Sequence, residues 1–197
     1  MALIQTFLKS HSALIFLIPL SFFLIFTGLD DTVLQEDEGA DTFISTTIHK
    51  YGYPTHSDGI HYTMPEGDAF GGIFLYRTWV PYYLQSVSLF LFGQNTFSAR
   101  LPFAIIGVFS VWSLYSFTLR WTNRKSIAFI ASLLLATSVP ALLYFRTARY
   151  IAIPMLLTPL LLRFYITIFD KSKWNPIPLT LVSIIYFHTI YVEFAGI

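Results

Sequence analysis

The sequence contains no cysteine, which excludes disulfide frameworks, thiolate metal sites and cysteine nucleophiles together. Charged residues are also scarce: they make up 12% of the 197 residues, about half of the roughly 25% that is typical of soluble domains. The formal net charge is +1, so the chain lacks the basic excess that nucleic-acid binding needs. Hydrophobic residues instead make up 55% of the chain and aromatic residues 18%. This composition excludes a disordered chain and indicates an integral membrane protein.

The acidic residues are concentrated in one part of the chain. Nine of the 11 acidic residues lie between Asp30 and Asp68. The same stretch contains turn residues such as Tyr53-Pro54 and Asp58-Gly59, which indicates one long polar loop. Loops of this length are usually functional or disordered. The Phe, Tyr, Ile and Met residues within this loop favour an ordered structure.

The first apolar segment covers residues 12–29 and could be a signal sequence or a first transmembrane helix. No small-x-small cleavage site follows it, because the chain continues as Gly28-Leu29-Asp30-Asp31. We therefore predict an uncleaved helix. With Lys9 on the cytoplasmic side, the acidic loop then lies outside the membrane.

Five further apolar segments follow the acidic loop. They cover residues 78–92, 101–119, 126–145, 151–169 and 177–195. A spanning helix needs about 20 apolar residues, and the 78–92 segment is short. This segment also places Thr78, Pro81, Gln85 and Ser88 along one helical face, a polar stripe that favours a helix lying in the membrane interface.

The distribution of basic residues also favours an interfacial helix over a spanning one for residues 78–92. If 78–92 is interfacial, five basic residues fall on the cytoplasmic side, namely Arg120, Arg124, Lys125, Lys171 and Lys173. The sequence thus predicts an all-α membrane module over residues 1–197 with about five spanning helices. Its external loop at 30–100 carries interfacial helices near 37–50 and 78–92, and four further spanning helices follow at 101–197.

Two arginines fall on the same predicted side as the acidic loop. Arg146 and Arg149 occupy a very short turn, with Tyr150 next to them. One interpretation is simple anchoring, in which the long side chains reach the lipid headgroups, as we expect for Arg120 and Arg163. The other is a phosphate-binding pair, because guanidinium donors match phosphate oxygens. Charge alone leaves both open.

The acidic cluster that begins at Glu36 leads into a short helix with apolar residues at helical spacing. Asp37 has two possible functions there. It could cap the helix, with Glu38 complementing the helix dipole. It could instead act as a general base at the membrane surface. A third polar group, His56, Asp58 and His61, offers metal-ligand residue types, but its spacing matches no metal motif and turn chemistry explains Asp58-Gly59.

A series of short motifs runs through nearly the whole chain in a characteristic order. They are Asp37-Glu38 after the first helix, Tyr51-Gly52-Tyr53-Pro54, Pro81-Tyr82-Tyr83-Leu84, Leu91-Phe92-Gly93, Ala99-Arg100-Leu101-Pro102, Thr137-Ser138-Val139-Pro140 and Arg146-Thr147-Ala148-Arg149-Tyr150. This order resembles the amino-terminal part of the polytopic glycosyltransferases with the GT-C fold, especially the group of protein mannosyltransferases and aminoarabinose transferases.

The resemblance implies a specific chemistry. Such enzymes take a sugar from a polyprenyl-phosphate donor and transfer it, with inversion, to an acceptor hydroxyl of a protein, lipid or glycan at the external membrane face. It implies catalytic positions at Asp37 and Glu38, where Asp37 deprotonates the acceptor. Substrate-binding positions follow at Arg149, Arg146, Tyr150 and Arg100, where Arg149, with Arg146, holds the departing lipid phosphate.

The resemblance also sets expectations about cofactors, location and length. No carboxylate follows Arg149-Tyr150, which argues against a two-carboxylate metal site, so no metal or other cofactor is expected. The expected location is the plasma membrane of a bacterium or archaeon, or the endoplasmic reticulum of a eukaryote. Members of the family are longer, so we expect the reading frame to continue beyond Ile197. A non-catalytic subunit or lipid-carrier-binding remnant on the same scaffold is the alternative function.

Overall fold

Helices form nearly all of the regular structure in the computed structural model, which describes residues 2–63, 72–74, 77–169 and 175–196. The helices are α1 (Ala2–Phe26), α2 (Glu36–Tyr51), α3 (Val80–Phe92), α4 (Thr96–Thr122), α5 (Lys125–Thr137), α6 (Val139–Phe145), α7 (Ala152–Ile168), α8 (Ile177–Phe187) and α9 (Tyr191–Ala195). Extended pairing in the described residues is limited to isolated bridges within the long loop. The all-α prediction is confirmed.

Helix α4 lies at the centre of the molecule and packs against α1, α3, α5, α6 and α7. The main apolar core draws on these helices and on α8, with Ile25, Phe103, Phe145, Ile153 and Tyr186 buried in it. Helices α4 and α6 approach closely at Gly107, where an added Cβ would lie 2.5 Å from the Phe145 ring. A small residue at such a crossing is typical of helix packing in membranes.

The lengths of the helices indicate which of them could cross a membrane. Helix α4 has 27 residues, about 40 Å at 1.5 Å per residue, which exceeds a hydrocarbon core of about 30 Å. Among the described residues it is the one helix long and apolar enough to cross alone, and α5 with α6 passes the same test as a bent pair. Shorter apolar helices cover Ala13–Phe26, Val80–Phe92, Ala152–Ile168 and Ile177–Phe187. The number of spans stays a prediction.

Two of the predicted segments are broken in the structure. The 126–145 segment bends by 65° between α5 and α6, because Pro140 lacks an N–H and its ring clashes with the preceding helical turn. The 177–195 segment ends its first helix at Phe187, and a second helix begins at Tyr191. The structure therefore divides each of these two predicted segments into two helices.

The polar stripe of α3 faces the protein interior. Gln85 and Ser88 are buried, and they hydrogen-bond to α2 and to the backbone of α4. The exposed face of α3 is apolar and includes Leu84, Val87 and Leu91. The stripe therefore contacts protein and not water, because polar partners on α2 satisfy it. Whether α3 lies in the membrane interface stays a prediction.

The predicted topology can be tested at the two ends of α4, because the chain has no cysteine to interfere with labelling. Gln94 and Ser126 are exposed and lie next to these ends; Lys171 and Lys173, which also entered the prediction, lie outside the described residues. We expect Gln94→Cys to react with an impermeant maleimide in intact cells. Ser126→Cys should react only after the cells are permeabilised. Labelling of Ser126→Cys in intact cells would contradict this orientation.

Candidate functional site

The candidate site lies where five pieces of the chain meet: the start of α2, the start of α3, the start of α4, the turn at 146–151 and the α8–α9 junction. These pieces line a cavity of about 150 Å³. Asp41, Arg77 and Tyr150 supply polar groups to its wall, and Pro81, Phe103 and Ala148 supply apolar ones. A largely apolar cavity with a few convergent polar groups is the usual form of a small-molecule site.

Glu38 connects several elements of the site through buried contacts. Its side chain is 1% exposed and forms a two-pronged salt bridge with Arg100, with N···O distances of 3.0 and 2.9 Å. It also accepts hydrogen bonds from the backbone N–H groups of Gln35 at 3.0 Å and Ala148 at 2.6 Å. Glu38 therefore ties the start of α2 to α4 and to the 146–151 turn.

These contacts decide the charge state of Glu38. Burial alone would raise its pKa, but the hydrogen bonds from Arg100, Ala148 and Gln35 hold the pKa below its usual value. The carboxylate is thus ionised and all of its hydrogen-bonding positions face protein. This geometry gives Glu38 a structural position, so we do not retain it as a catalytic residue.

The Asp37 side chain points in a different direction from that of Glu38. The N-cap of α2 is Gln35, with Glu38 closing the first turn, so the alternative that Asp37 caps the helix is wrong. The Asp37 side chain is 72% exposed and forms an ion pair with Arg149. The hydrogen bond from Arg149, followed by its charge, lowers the pKa of Asp37. Asp37 is therefore an ionised carboxylate that faces the outside of the site.

Arg149 is the central cation of the site. One end of its guanidinium pairs with Asp37, and its Nε lies 3.8 Å from a carboxylate oxygen of Asp41. That distance is too long for a hydrogen bond, and the buried Nε has no hydrogen-bond acceptor among the described residues. The guanidinium also lies over the Tyr150 ring, 5.9 Å from its centroid. Arg149 thus bridges two acids and retains an unused donor.

Arg100 and Arg146 were also predicted to bind substrate, but their donors are directed elsewhere. Arg100 is buried, and besides Glu38 it donates to the carbonyls of Leu29, Thr32 and Val33. Arg146 donates to the carbonyls of Leu24 at 3.1 Å and Gly28 at 2.8 Å, which caps the end of α1. Both arginines therefore organise the scaffold, and we do not retain them as substrate-binding residues.

Asp41 was not predicted as a site residue, although it lies one turn after Asp37 on the same helix. The side chain is buried, and Oδ1 accepts hydrogen bonds from Arg77 at 3.0 Å and from the Tyr82 hydroxyl at 3.1 Å. Oδ2 accepts from Arg77 at 3.1 Å. Burial raises the pKa of Asp41, although Arg77 and Arg149 oppose the rise. The spacing of Asp37 and Asp41 at i and i+4 was the signal available in the sequence.

The Tyr150 ring contacts two cations of the site, Arg77 and Arg149. Its ring is 5.1 Å from the Arg77 guanidinium carbon and 5.9 Å from that of Arg149. Contacts of this kind stabilise a cation and fix its orientation. Tyr150 and Arg77 both line the cavity. Substrate binding by Tyr150 stays a prediction, and Arg77 is a residue that the sequence analysis did not single out.

Asp58 and His61 of the long loop form a local turn. Asp58 accepts hydrogen bonds from the backbone N–H groups of Ile60 and His61 and from His61 Nδ1 at 3.0 Å. This is the side-chain-to-backbone pattern of an Asx turn. No group of three His, Asp or Glu side chains suited to a metal ion occurs in the described part of the chain. The need for a metal stays untested.

Comparison with known proteins identifies the family. The model of the family described as dolichyl-phosphate-mannose-protein mannosyltransferase matches residues 77–190, which include Arg77, Arg149 and Tyr150. Neither the curated proteins nor the solved structures contain a significant match. The match covers more than half of the chain and agrees with the predicted resemblance. The chain therefore belongs to the dolichyl-phosphate-mannose-protein mannosyltransferase family, a family of membrane glycosyltransferases of the GT-C type.

Proposed function

We propose that this protein transfers a sugar from a polyprenyl-phosphate donor to an acceptor hydroxyl at the external membrane face, with inversion at the anomeric carbon. The observation that carries the proposal is the ion pair of exposed Asp37 with Arg149, whose Nε lies 3.8 Å from Asp41, a residue of the cavity wall. A carboxylate that can accept a proton and a guanidinium that can bind phosphate lie side by side there. These are the two groups that transfer from a sugar phosphate requires.

In the proposed reaction Asp37 acts as general base. Its carboxylate takes the proton of the acceptor hydroxyl as the acceptor oxygen forms a bond to the anomeric carbon. The bond between that carbon and the phosphate oxygen breaks, and its electron pair leaves with the phosphate. Arg149 stabilises the negative charge that develops on the departing lipid phosphate.

The ion pair also suggests how donor binding prepares the base. While Arg149 contacts Asp37, the pKa of Asp37 is lowered, and a carboxylate with a low pKa is a weak base. A donor phosphate that attracts Arg149 would weaken this contact and raise the proton affinity of Asp37. Asp37 would then be a better base when the donor is bound than when the site is empty.

Arg149 provides a direct test of phosphate binding. We expect Arg149→Ala to weaken binding of dolichyl phosphate by roughly 10- to 150-fold, because a hydrogen bond to a charged group contributes about 1.5–3 kcal/mol. Binding can be measured with the purified protein in detergent by titration with the lipid.

The matched control for this measurement is Arg163→Ala. Arg163 lies on α7 with its guanidinium over the Phe164 ring, and it does not line the cavity. Its removal should change dolichyl phosphate binding by less than about twofold. If both variants bind the lipid equally well, the phosphate-binding position of Arg149 is wrong.

A further inference from the structure

An open groove lies between α1 and α5, outside the candidate site. Its lining comes from two helices: Ala13 and Phe16 of α1, and Lys125, Ser126 and Phe129 of α5. Its volume is about 480 Å³, and the centroids of the Phe16 and Phe129 rings lie 6.2 Å apart. The groove is therefore mainly apolar, with one ammonium group and one hydroxyl group in its lining.

The groove is far from the cavity of the candidate site. Phe103, near the start of α4, lines the cavity, whereas α5 begins at Lys125, just after α4 ends at Thr122. The part of α4 from Phe103 to Thr122 is about 29 Å long at 1.5 Å per residue. A hydrocarbon core is about 30 Å thick, so a spanning α4 places the groove and the cavity at opposite faces of the membrane.

Three features place the groove at the boundary between the hydrocarbon core and the lipid headgroups. The sequence of α1 changes from polar residues at 9–12 to an apolar run that begins at Ala13. The sequence of α5 changes in the same way after Lys125 and Ser126. Trp121, in the last turn of α4, is 68% exposed, and Trp is enriched at this depth. A molecule in the groove therefore has an apolar and a polar part.

The charged side chains of α5 next to the groove are basic. Lys125 and the neighbouring Arg124 are both exposed, and in the described part of the chain neither forms an ion pair. Helices α1, α4 and α5 contain no acidic residue. These two cations attract an anionic headgroup. The ammonium group of a zwitterionic headgroup, in contrast, would have no carboxylate on these helices to pair with.

We propose that this groove binds an anionic phospholipid of the bilayer, on the side that is predicted to be cytoplasmic. Lys125, with Arg124, binds the headgroup phosphate. One acyl chain lies along Phe16 and Phe129. A free phosphate ion would need only the cations and a neutral lipid only the apolar wall, whereas the groove offers both, as basic pockets between membrane helices do. The site is independent of the proposed sugar transfer, in which Arg149 binds the phosphate of the sugar carrier.

Lipid binding to the purified full-length protein in a neutral detergent tests this site. The protein is titrated separately with phosphatidylglycerol and with phosphatidylcholine of the same acyl chains, and bound lipid is counted by native mass spectrometry. We expect wild type to bind phosphatidylglycerol at least about fivefold more tightly. Lys125→Ala should weaken phosphatidylglycerol binding by about fivefold or more, the effect of one basic residue near an anionic headgroup. Its binding of phosphatidylcholine and of dolichyl phosphate should change by less than about twofold.

Two further variants separate the groove from the general charge of the protein. Lys50→Ala removes an exposed cation at the end of α2 and should change phosphatidylglycerol binding by less than about twofold. Ala13→Trp adds a large side chain to the wall of the groove and retains both cations. It should weaken phosphatidylglycerol binding by about fivefold or more, because the acyl chain no longer fits.

Several results would overturn the inference. Equal binding of the two phospholipids by wild type, or equal effects of Lys125→Ala and Lys50→Ala, would contradict the headgroup contact. Unchanged phosphatidylglycerol binding by Ala13→Trp would mean that the cations act without the groove. Displacement of phosphatidylglycerol by an equal concentration of inorganic phosphate would indicate a site for a free anion. Weaker binding of dolichyl phosphate by Lys125→Ala would assign the groove to the sugar carrier.

A second measurement needs no variant and covers the case in which Ala13→Trp does not fold. Wild type is mixed with a phosphatidylglycerol that carries a photoactivatable group on one acyl chain, and the labelled peptides are identified after irradiation. We expect label on the peptides that contain residues 13–16 and 125–129. Label confined to other segments, such as the exposed apolar face of α3, would contradict the inference.

Discussion

Replacing Asp37 with Asn is expected to lower the rate of sugar transfer by about 10²–10⁴-fold, the usual effect of removing a general base. The substitution preserves the size of the side chain but not its ability to take a proton. It should leave the fold nearly unchanged, because Asp37 is 72% exposed and the N-cap of α2 is Gln35. Donor binding should also persist, since Arg149 remains in place.

The measurement is the transfer rate at saturating donor in the full-length protein, with thermal unfolding and donor binding followed in parallel. Glu36→Gln is the matched control, because it changes an exposed acid one residue away and leaves Asp37 intact. We expect the control to transfer sugar within about twofold of wild type. If Asp37→Asn does so as well, Asp37 is not the base.

The largest effect on stability is expected at Glu38. Glu38→Gln leaves the guanidinium of Arg100 buried at 5% exposure without a counter-charge, and breaking a buried ion pair in this way costs about 3–5 kcal/mol. For a protein of this size, the melting temperature should fall by roughly 6–20 °C. The thermal unfolding of the purified protein in detergent measures this change directly.

Two further variants separate the ion pair from other effects at Glu38. Asp58→Asn changes an acid of the exposed loop turn and should alter the melting temperature by only a few degrees. The double variant Glu38→Leu/Arg100→Met removes both charges and should regain part of the lost stability, as replacement of buried pairs by apolar residues often does. A melting temperature for Glu38→Gln within a few degrees of wild type would contradict the structural function of Glu38.

The helical elements were largely predictable because their signals are local. An apolar run predicts α4, and helical periodicity after an acidic cluster predicts α2. Helix α2 begins within a residue of the predicted start. The bend at Ser138 was predictable in principle, since Pro140 removes a backbone donor within the apolar run. The inward direction of the α3 stripe was not, because it depends on the polar face that α2 presents to Gln85.

Some features of the functional residues could likewise be predicted from the sequence, and others depend on the fold. Sequence reasoning placed Asp37 and Glu38 together, but successive helical residues lie 100° apart around the axis, so one can face the core and the other the outside. Glu38 is the buried one because it pairs with Arg100. Arg100 is so far from Glu38 in the sequence that this pair could not be predicted. Arg146 and Arg149 also have different functions that the sequence does not distinguish. Only the fold brings Gly28 to Arg146 and Asp37 to Arg149.

One measurement tests most directly whether Asp37 and Arg149 form the catalytic centre of a transferase or part of a module that only binds a lipid carrier. Membranes that contain the full-length wild type or Asp37→Asn are supplied with dolichyl-phosphate-mannose, and the formation of sugar-free dolichyl phosphate is followed. We expect wild type to form it about 100-fold faster than Asp37→Asn, with equal donor binding by both. Equal binding with an intact donor in both preparations would contradict the catalytic function and favour the lipid-carrier-binding module.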